Sequence, residues 1–154
     1  MTPSPKAIKL IKKYEGFRSD SYLCPASVAT IGFGSTMWPD GKKVKLGQRI
    51  SMEEADKLLM WELTNKIKAL PKLSVNQNMF DSICSFIYNC GVGAFLRSTM
   101  YKKINVNPFD PTIRDEFMRW INKGSAFENG MRKRRKEEAD LYFTPYEQES
   151  QDAT

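Results

Sequence analysis

The chain has 154 residues, a net charge of +6, no histidine, three cysteines and a 41% hydrophobic fraction that includes 9 Phe, 6 Tyr and 3 Trp. That length supports one domain with its own core, and the aromatic content excludes a disordered chain. A membrane span of 18 apolar residues, a secretion signal and a zinc ligand set are all missing from the sequence, so the expectation is a soluble chain made in the cytosol without cofactor or metal. Its positive charge suits a polyanionic partner: nucleic acid, an anionic membrane surface or an anionic wall polymer.

Ser4-Pro5 opens a helix in which Ile8, Ile11 and Glu15 recur at spacings of three and four, and Gly16 stops it. Glu15 therefore falls at the helix end on the inward side. A carboxylate on an apolar face is costly to bury alone, which favours a role; the alternative is a rim charge turned to water. The segments "SYLC", "SVATIGFGST" and "KKVKL", with turns at Pro25-Ala26-Ser27 and Asp40-Gly41, predict a small antiparallel sheet. In "VATIGFG" a period of two places Thr30, Gly32 and Gly34 on one face and Ala29, Ile31 and Phe33 on the other. Glycines there mark either a close approach to the backbone or a bend.

From Ser51 the pattern is helical, with a capping box Ser51-x-x-Glu54 and Leu58, Leu59, Leu63 and Ile67 at helical spacing. "MFDSICSFIYNCGVG" places Met79, Ile83, Phe86, Ile87 and Cys90 on a broad apolar face and reads as the central core helix. Cys84 and Cys90 are then small buried hydrophobes, whereas Cys24 fits no such pattern. Three further helices follow in "AFLRSTMYKKI", "TIRDEFMRWINKG" and "NGMRKRRKEEADLYF". The basic run from Arg132 to Lys136 is compensated at i,i+4 by Glu138 for Arg134 and Asp140 for Lys136, so it reads as a salt-bridged helix face rather than a nucleic-acid surface. The predicted layout is α+β and mostly helical, one domain over residues 1–145 with a polar tail at 146–154, and a cleft between sheet and helices.

Glu15, eight intervening residues, Cys24, five intervening residues and Thr30 resemble the catalytic signature Glu-x8-(Asp or Cys)-x5-Thr of the phage-type lysozymes, glycoside hydrolase family 24. "EGFR", the hairpin "TIGFGST", the helix-and-turn "FDSICSFIYNCGVGAFLRST" and the helix "GMRKRRKEEADLYF" are similar to further elements of that family, in order, over roughly residues 5 to 143. The resemblance implies a two-lobed fold, with the helix from Ser51 connecting a small sheet-bearing lobe to a helical lobe. It also implies a muramidase or endolysin that hydrolyses the β-1,4 bond between N-acetylmuramic acid and N-acetylglucosamine of peptidoglycan. Such a protein would be a monomer, made in the host cytoplasm and acting on the wall after release, with no nucleic-acid partner and no stable membrane insertion.

Glycoside cleavage needs a proton on the leaving oxygen and a base or nucleophile on the opposite face of the sugar. The resemblance makes Glu15 the general acid, with one of Arg132, Arg134 or Arg135 beside it, and sets Cys24 and Thr30 opposite. Cys24 could attack as a nucleophile or help place a water that Thr30 orients; an ordinary thiol has a reference pKa of ~8.5 and is a poor base at neutral pH. Asp20 is the alternative second carboxylate, against a plain turn role. Thr36, Tyr88, Asn89 and Ser98 are carried over as substrate-binding residues, although Tyr88 on a core helix could simply be core. The competing function is a non-catalytic peptidoglycan-binding or structural module on a lysozyme fold, motivated by the absent aspartate.

Overall fold

The computed structural model describes residues 1–147, so the part of the expected tail at 148–154 lies outside the described residues. Helix α1 spans Pro5–Glu15. The Ser4 side chain accepts from the Lys6 amide, Pro5 occupies the first turn where its missing N–H costs nothing, and Gly16 at φ +67° ends the helix. Strands β1 (Arg18–Leu23) and β2 (Ala29–Gly32) pair antiparallel, with a register shift between Arg18 and Tyr22.

The expected strand in "KKVKL" is absent as a regular strand. Met37 and Lys43 form a single bridge, and Val44 N donates to Thr36 O. The side chain of Gln48 contributes to this: its Oε1 accepts from Lys45 N (2.8 Å), a backbone donor that a strand partner would otherwise take, and also from the Trp38 indole Nε1 (3.0 Å). Residues 48–50 instead run along the outer edge of β1, where Ser21 N donates to Gln48 O and Ile50 N donates to Ser19 O. The period-two prediction for residues 29–34 also fails: Thr30, Ile31 and Gly32 are buried in succession within β2, and Gly32 at φ +65° turns the chain so that Phe33 is buried as well.

Helix α2 (Met52–Ile67) begins with the complete capping box of Ser51 and Glu54, and its 16 residues extend about 24 Å. Helix α3 (Gln77–Cys90) is buried from Asn78 to Tyr88 and divides the core. Phe80, Cys84 and Tyr88, at i, i+4 and i+8, face one apolar cluster with Ile11, Ile31, Phe33, Leu59 and Leu63. Met79, Ile83, Phe86 and Ile87 face a second with Phe95, Phe117 and Tyr142. The helix is thus apolar on two sides rather than on one broad face, which is why it belongs at the centre.

The single helix predicted over "AFLRSTMYKKI" is two, α4 (Val92–Arg97) and α5 (Thr99–Val106). Ser98 separates them: its hydroxyl donates to Phe95 O (2.6 Å) and accepts from Tyr101 N (3.1 Å), closing one helix and capping the next. The helix predicted over residues 112–124 shortens to α6 (Ile113–Phe117). Asn122 and Gly124 have positive φ, and Trp120 turns in to meet Phe86 edge-on at 5.4 Å. Helix α7 (Glu128–Tyr142) completes the chain and packs chiefly on α3 and α6.

Candidate active site

Glu15 sits in the last turn of α1, and both ends of that helix are tied down. At its start Ser4 N donates to Asp81 Oδ1 of α3 (2.9 Å) and Ser4 Oγ donates to Asp81 Oδ2. At its end Tyr14 Oη donates to Glu137 Oε1 (2.7 Å), which also meets Lys13 Nζ. Helix α1 is thereby anchored to α3 and α7 before any contact made by Glu15 itself.

The Glu15 carboxylate is 20% exposed and lies against Arg134 of α7, whose Nη1 donates to Oε1 at 2.7 Å. Of the three arginines left open by the sequence, the partner is therefore Arg134. The other oxygen, Oε2, faces Gly34, where an added Cβ would stand only 2.9 Å from it. Gly34 at φ +83° is one of the glycines expected to permit a close approach, and the approaching group is this carboxylate. One oxygen is thus committed to a cation while the other stays clear over bare backbone.

Cys24 and Thr30 come together across a tight turn. Cys24 N donates to Val28 O (3.0 Å), Ser27 N donates to Cys24 O (2.8 Å), and Thr30 Oγ1 donates to Val28 O (2.9 Å). The Val28 amide holds the Cys24 thiol below its ordinary range, against a small upward push from burial, with help from the Ala26 amide and the Thr30 hydroxyl. Cys24 is half-buried and Thr30 is buried. Asp20, the alternative carboxylate, is 71% exposed and paired with Arg49 at 3.1 Å on the far edge of β1.

The residues carried over for substrate contact separate into exposed and committed groups. Asn89 and Thr36 are exposed. The Asn89 Oδ1 accepts from Arg135 Nη2 (2.7 Å), which leaves its amide N–H groups to be donated elsewhere, beside a cavity of about 300 Å3 that Trp120, Asn122 and Phe127 help to line. Tyr88 and Ser98 are both buried with their hydroxyls engaged. Tyr88 is 5% exposed, donates to Phe33 O at 2.7 Å, and has Lys66 Nζ 4.6 Å from its ring centroid, so its faces are not open to stack on a sugar. Ser98 is buried with both its hydrogen bonds spent on the α4–α5 corner.

Two features went unseen in the sequence. Glu62 of α2 accepts from Ser35 Oγ (3.2 Å), and Lys66 Nζ stands 3.9 Å from its Oε1 while donating to Tyr88 O (3.1 Å). Its position between Leu58, Leu59 and Leu63 on the apolar stripe of α2 was the available signal. The other is the burial of two arginines of the basic run. Arg134 and Arg135 point inward to Glu138, which has no exposed surface, so the Arg134–Glu138 pair exists but is part of the core and not a solvated face. The expected Lys136–Asp140 pair is replaced by Arg114–Asp140 at 2.7 Å. Cys90 likewise is not a plain core residue: it is half-buried with Sγ 2.9 Å from Arg135 Nη1. Cys84 is a core residue, and burial pushes its thiol strongly up.

Among the described residues no cluster of three or more metal-ligating side chains occurs, and no helix is long and apolar enough to cross a membrane.

Comparison with known proteins bears on the same residues. Residues 12–138 match the family model described as phage lysozyme. The chain is 36% identical over 149 residues to an endolysin of Bacillus phage B103, covering 94% of this chain and 55% of that protein, so it spans about half of that relative's length. It is 34% identical over 146 residues to an endolysin of Acyrthosiphon pisum secondary endosymbiont phage 1, covering 90% of this chain and 96% of that one. The solved endolysin from Escherichia coli O157:H7 phage FAHEc1 superposes with a TM-score of 0.83 at 33% identity, covering 93% of this chain and 94% of the other.

Proposed function

Because the chain belongs to the phage lysozyme family, we propose that it is an endolysin that cleaves the β-1,4 bond between N-acetylmuramic acid and N-acetylglucosamine in bacterial peptidoglycan. The observation that carries this reading is the Glu15 carboxylate, held through one oxygen by Arg134 with the other lying free over Gly34, at the head of the Glu15–Cys24–Thr30 spacing. Glu15 Oε2 hands its proton to the glycosidic oxygen as the bond from that oxygen to the anomeric carbon breaks. On the opposite face, the Cys24 sulfur attacks the anomeric carbon and water later displaces it, returning a proton to Glu15. The alternative course has a water held by Thr30 and Cys24 attack, its proton passing to sulfur. The lowered thiol of Cys24 supports either course, since more thiolate is present at neutral pH than an ordinary cysteine supplies.

Asn89 donates its amide hydrogens to the sugar, and Thr36 lies after the hairpin at the cleft edge. Residues 1–145 act as one catalytic unit and as a monomer. The net charge of +6 favours an anionic wall. The protein is made in the host cytoplasm and meets the wall after release.

Replacement of Glu15 by Gln tests the reading. Release of soluble muropeptides from purified wall should fall to background while the thermal midpoint is kept, and full activity in that variant refutes the assignment. Cys24 in place of the usual carboxylate favours one rival, a module that binds wall without cutting it. Binding by the wild-type chain without release of soluble fragments would establish that instead.

A further inference from the structure

The charges buried in α7 do more than Glu15 by itself requires. Glu138 sits between two guanidiniums, with Arg134 Nε 3.3 Å from its Oε2 and Arg135 Nε 2.9 Å from its Oε1. From α3, Ser85 Oγ donates to Oε2 at 2.6 Å and Ser82 Oγ donates to the Glu138 carbonyl at 2.6 Å. A buried triad of this kind is weak evidence for stability, since apolar residues of similar volume often serve as well. Its geometry points outward. The Arg135 Nε and Glu138 Oε1 touch as ions without hydrogen-bond geometry, and the Arg135 guanidinium is turned so that Nη2 donates to Asn89 Oδ1 (2.7 Å) and Nη1 to Cys90 Sγ (2.9 Å). Arg134 in the same way donates to Glu15 Oε1 and to Ser85 O.

We propose that Glu138 is a positioning residue that holds both arginines at once, so that the Glu15 carboxylate and the Asn89 carboxamide are presented to the substrate from one rigid mount. The proposal rests on the peptidoglycan-hydrolase reading above. No other described carboxylate contacts both guanidiniums, and the two arginines lead to groups on different helices, α1 and α3.

Electrostatics supply a readout that a merely structural role lacks. Glu138 is faced by Arg134 and Arg135 of its own helix and by Ser85 of α3, with Tyr14 of α1 and Cys90 of α3 also within its field; Glu15 is faced by Arg134 of α7 and lies in the field of Tyr88 of α3. Burial pushes the Glu138 carboxyl up, against the pull of Arg135 and Arg134, but a proton there would leave the buried Arg135 without a counter-charge and Arg134 with Glu15 alone, so it works as the carboxylate. The three groups together then present one net positive charge to Glu15. Glu138→Gln raises this to two, and the double variant Arg135→Gln, Glu138→Gln returns it to one.

The test measures kcat, KM and the pH profile of muropeptide release, with thermal unfolding and the side-chain amide NMR signal of Asn89. In folded Glu138→Gln, kcat should drop about 10–100-fold, the scale on which a misplaced catalytic group acts. The alkaline limb of its profile should move to lower pH, because added positive charge favours the ionised carboxylate, and the Asn89 amide signal should shift. In the double variant the limb should return to its wild-type position while KM stays raised through the loss of the Arg135 contact. A folded Glu138→Gln variant with wild-type kcat, limb and Asn89 signal overturns the proposal. Should Glu138→Gln fail to fold, the double variant, which buries no extra charge, decides: a limb in place with raised KM supports the proposal, and a displaced limb or unchanged KM overturns it. If wild type releases no fragments from wall, the reaction reading fails, while the Asn89 signal in the variants still decides whether Glu138 holds that carboxamide.

Discussion

Gly34→Ala separates two things that the hairpin glycine does, and Gly41→Ala provides the control. Both glycines have φ near +85°, so alanine at either incurs the left-handed backbone cost of about 1–2 kcal/mol. At about 2–4 °C per kcal/mol for a chain of this size, each variant should melt about 2–8 °C lower. At Gly41 the new methyl meets nothing within 4 Å, whereas at Gly34 it stands 2.9 Å from Glu15 Oε2 and must move that oxygen about 0.5 Å to reach ordinary contact. The carboxylate cannot simply swing aside, because Arg134 holds its other oxygen at 2.7 Å. A displacement of about 1 Å can reduce a rate ~100-fold, so Gly34→Ala should lose about 10-fold or more in kcat while Gly41→Ala keeps full activity. The comparison is muropeptide release at equal concentrations of folded protein, beside melting followed by circular dichroism. Equal kcat in the two variants would refute the assignment of Glu15 Oε2 as the working oxygen.

Cys24 and Glu137 yield the remaining expectations. Since its thiol is held low, Cys24 should be alkylated at a lower pH than a free cysteine, and Cys84 should stay unlabelled in the folded protein because it is fully buried; labelling by mass spectrometry across pH checks both. Cys24→Asp should retain or raise activity if the position serves as a base, and Cys24→Ala should lose it, with the anomeric configuration of the product telling direct attack from attack by water. Although burial pushes Glu137 up, its contacts with Lys13 and Tyr14 hold it below the ordinary glutamate value. A lowered folded value means the stabilisation is present above the unfolded value and lost as pH falls through the folded one. Glu137→Gln should therefore melt below wild type near neutral pH, with the gap closing in acid.

The helix starts and stops were legible because they depend on neighbours in sequence. Ser4-Pro5, the Ser51–Glu54 box and Gly16 act within one turn, and all of them set boundaries where expected. The spacing of Glu15, Cys24 and Thr30 was equally local, since a short hairpin joins the last two. Where local patterns misled, a tertiary contact had redirected a residue: Ser98 spent its hydroxyl on a cap, and Trp120 turned inward on Phe86, so that two predicted helices broke or shortened.

By itself the sequence determined a mostly helical α+β chain with a buried central helix and a glutamate at the end of α1, because hydrophobic period and capping chemistry are readable within a few residues. Only the tertiary structure decided which arginine meets Glu15, that Tyr88 and Ser98 face inward, and that Glu138 lies beneath both arginines. Along α7, Arg134, Glu138 and Asp140 look like a solvated charge ladder. Their partners Glu15, Ser85 and Arg114 come from three other helices, up to 119 residues away in sequence, and which side of α7 is buried depends on how those helices pack against it.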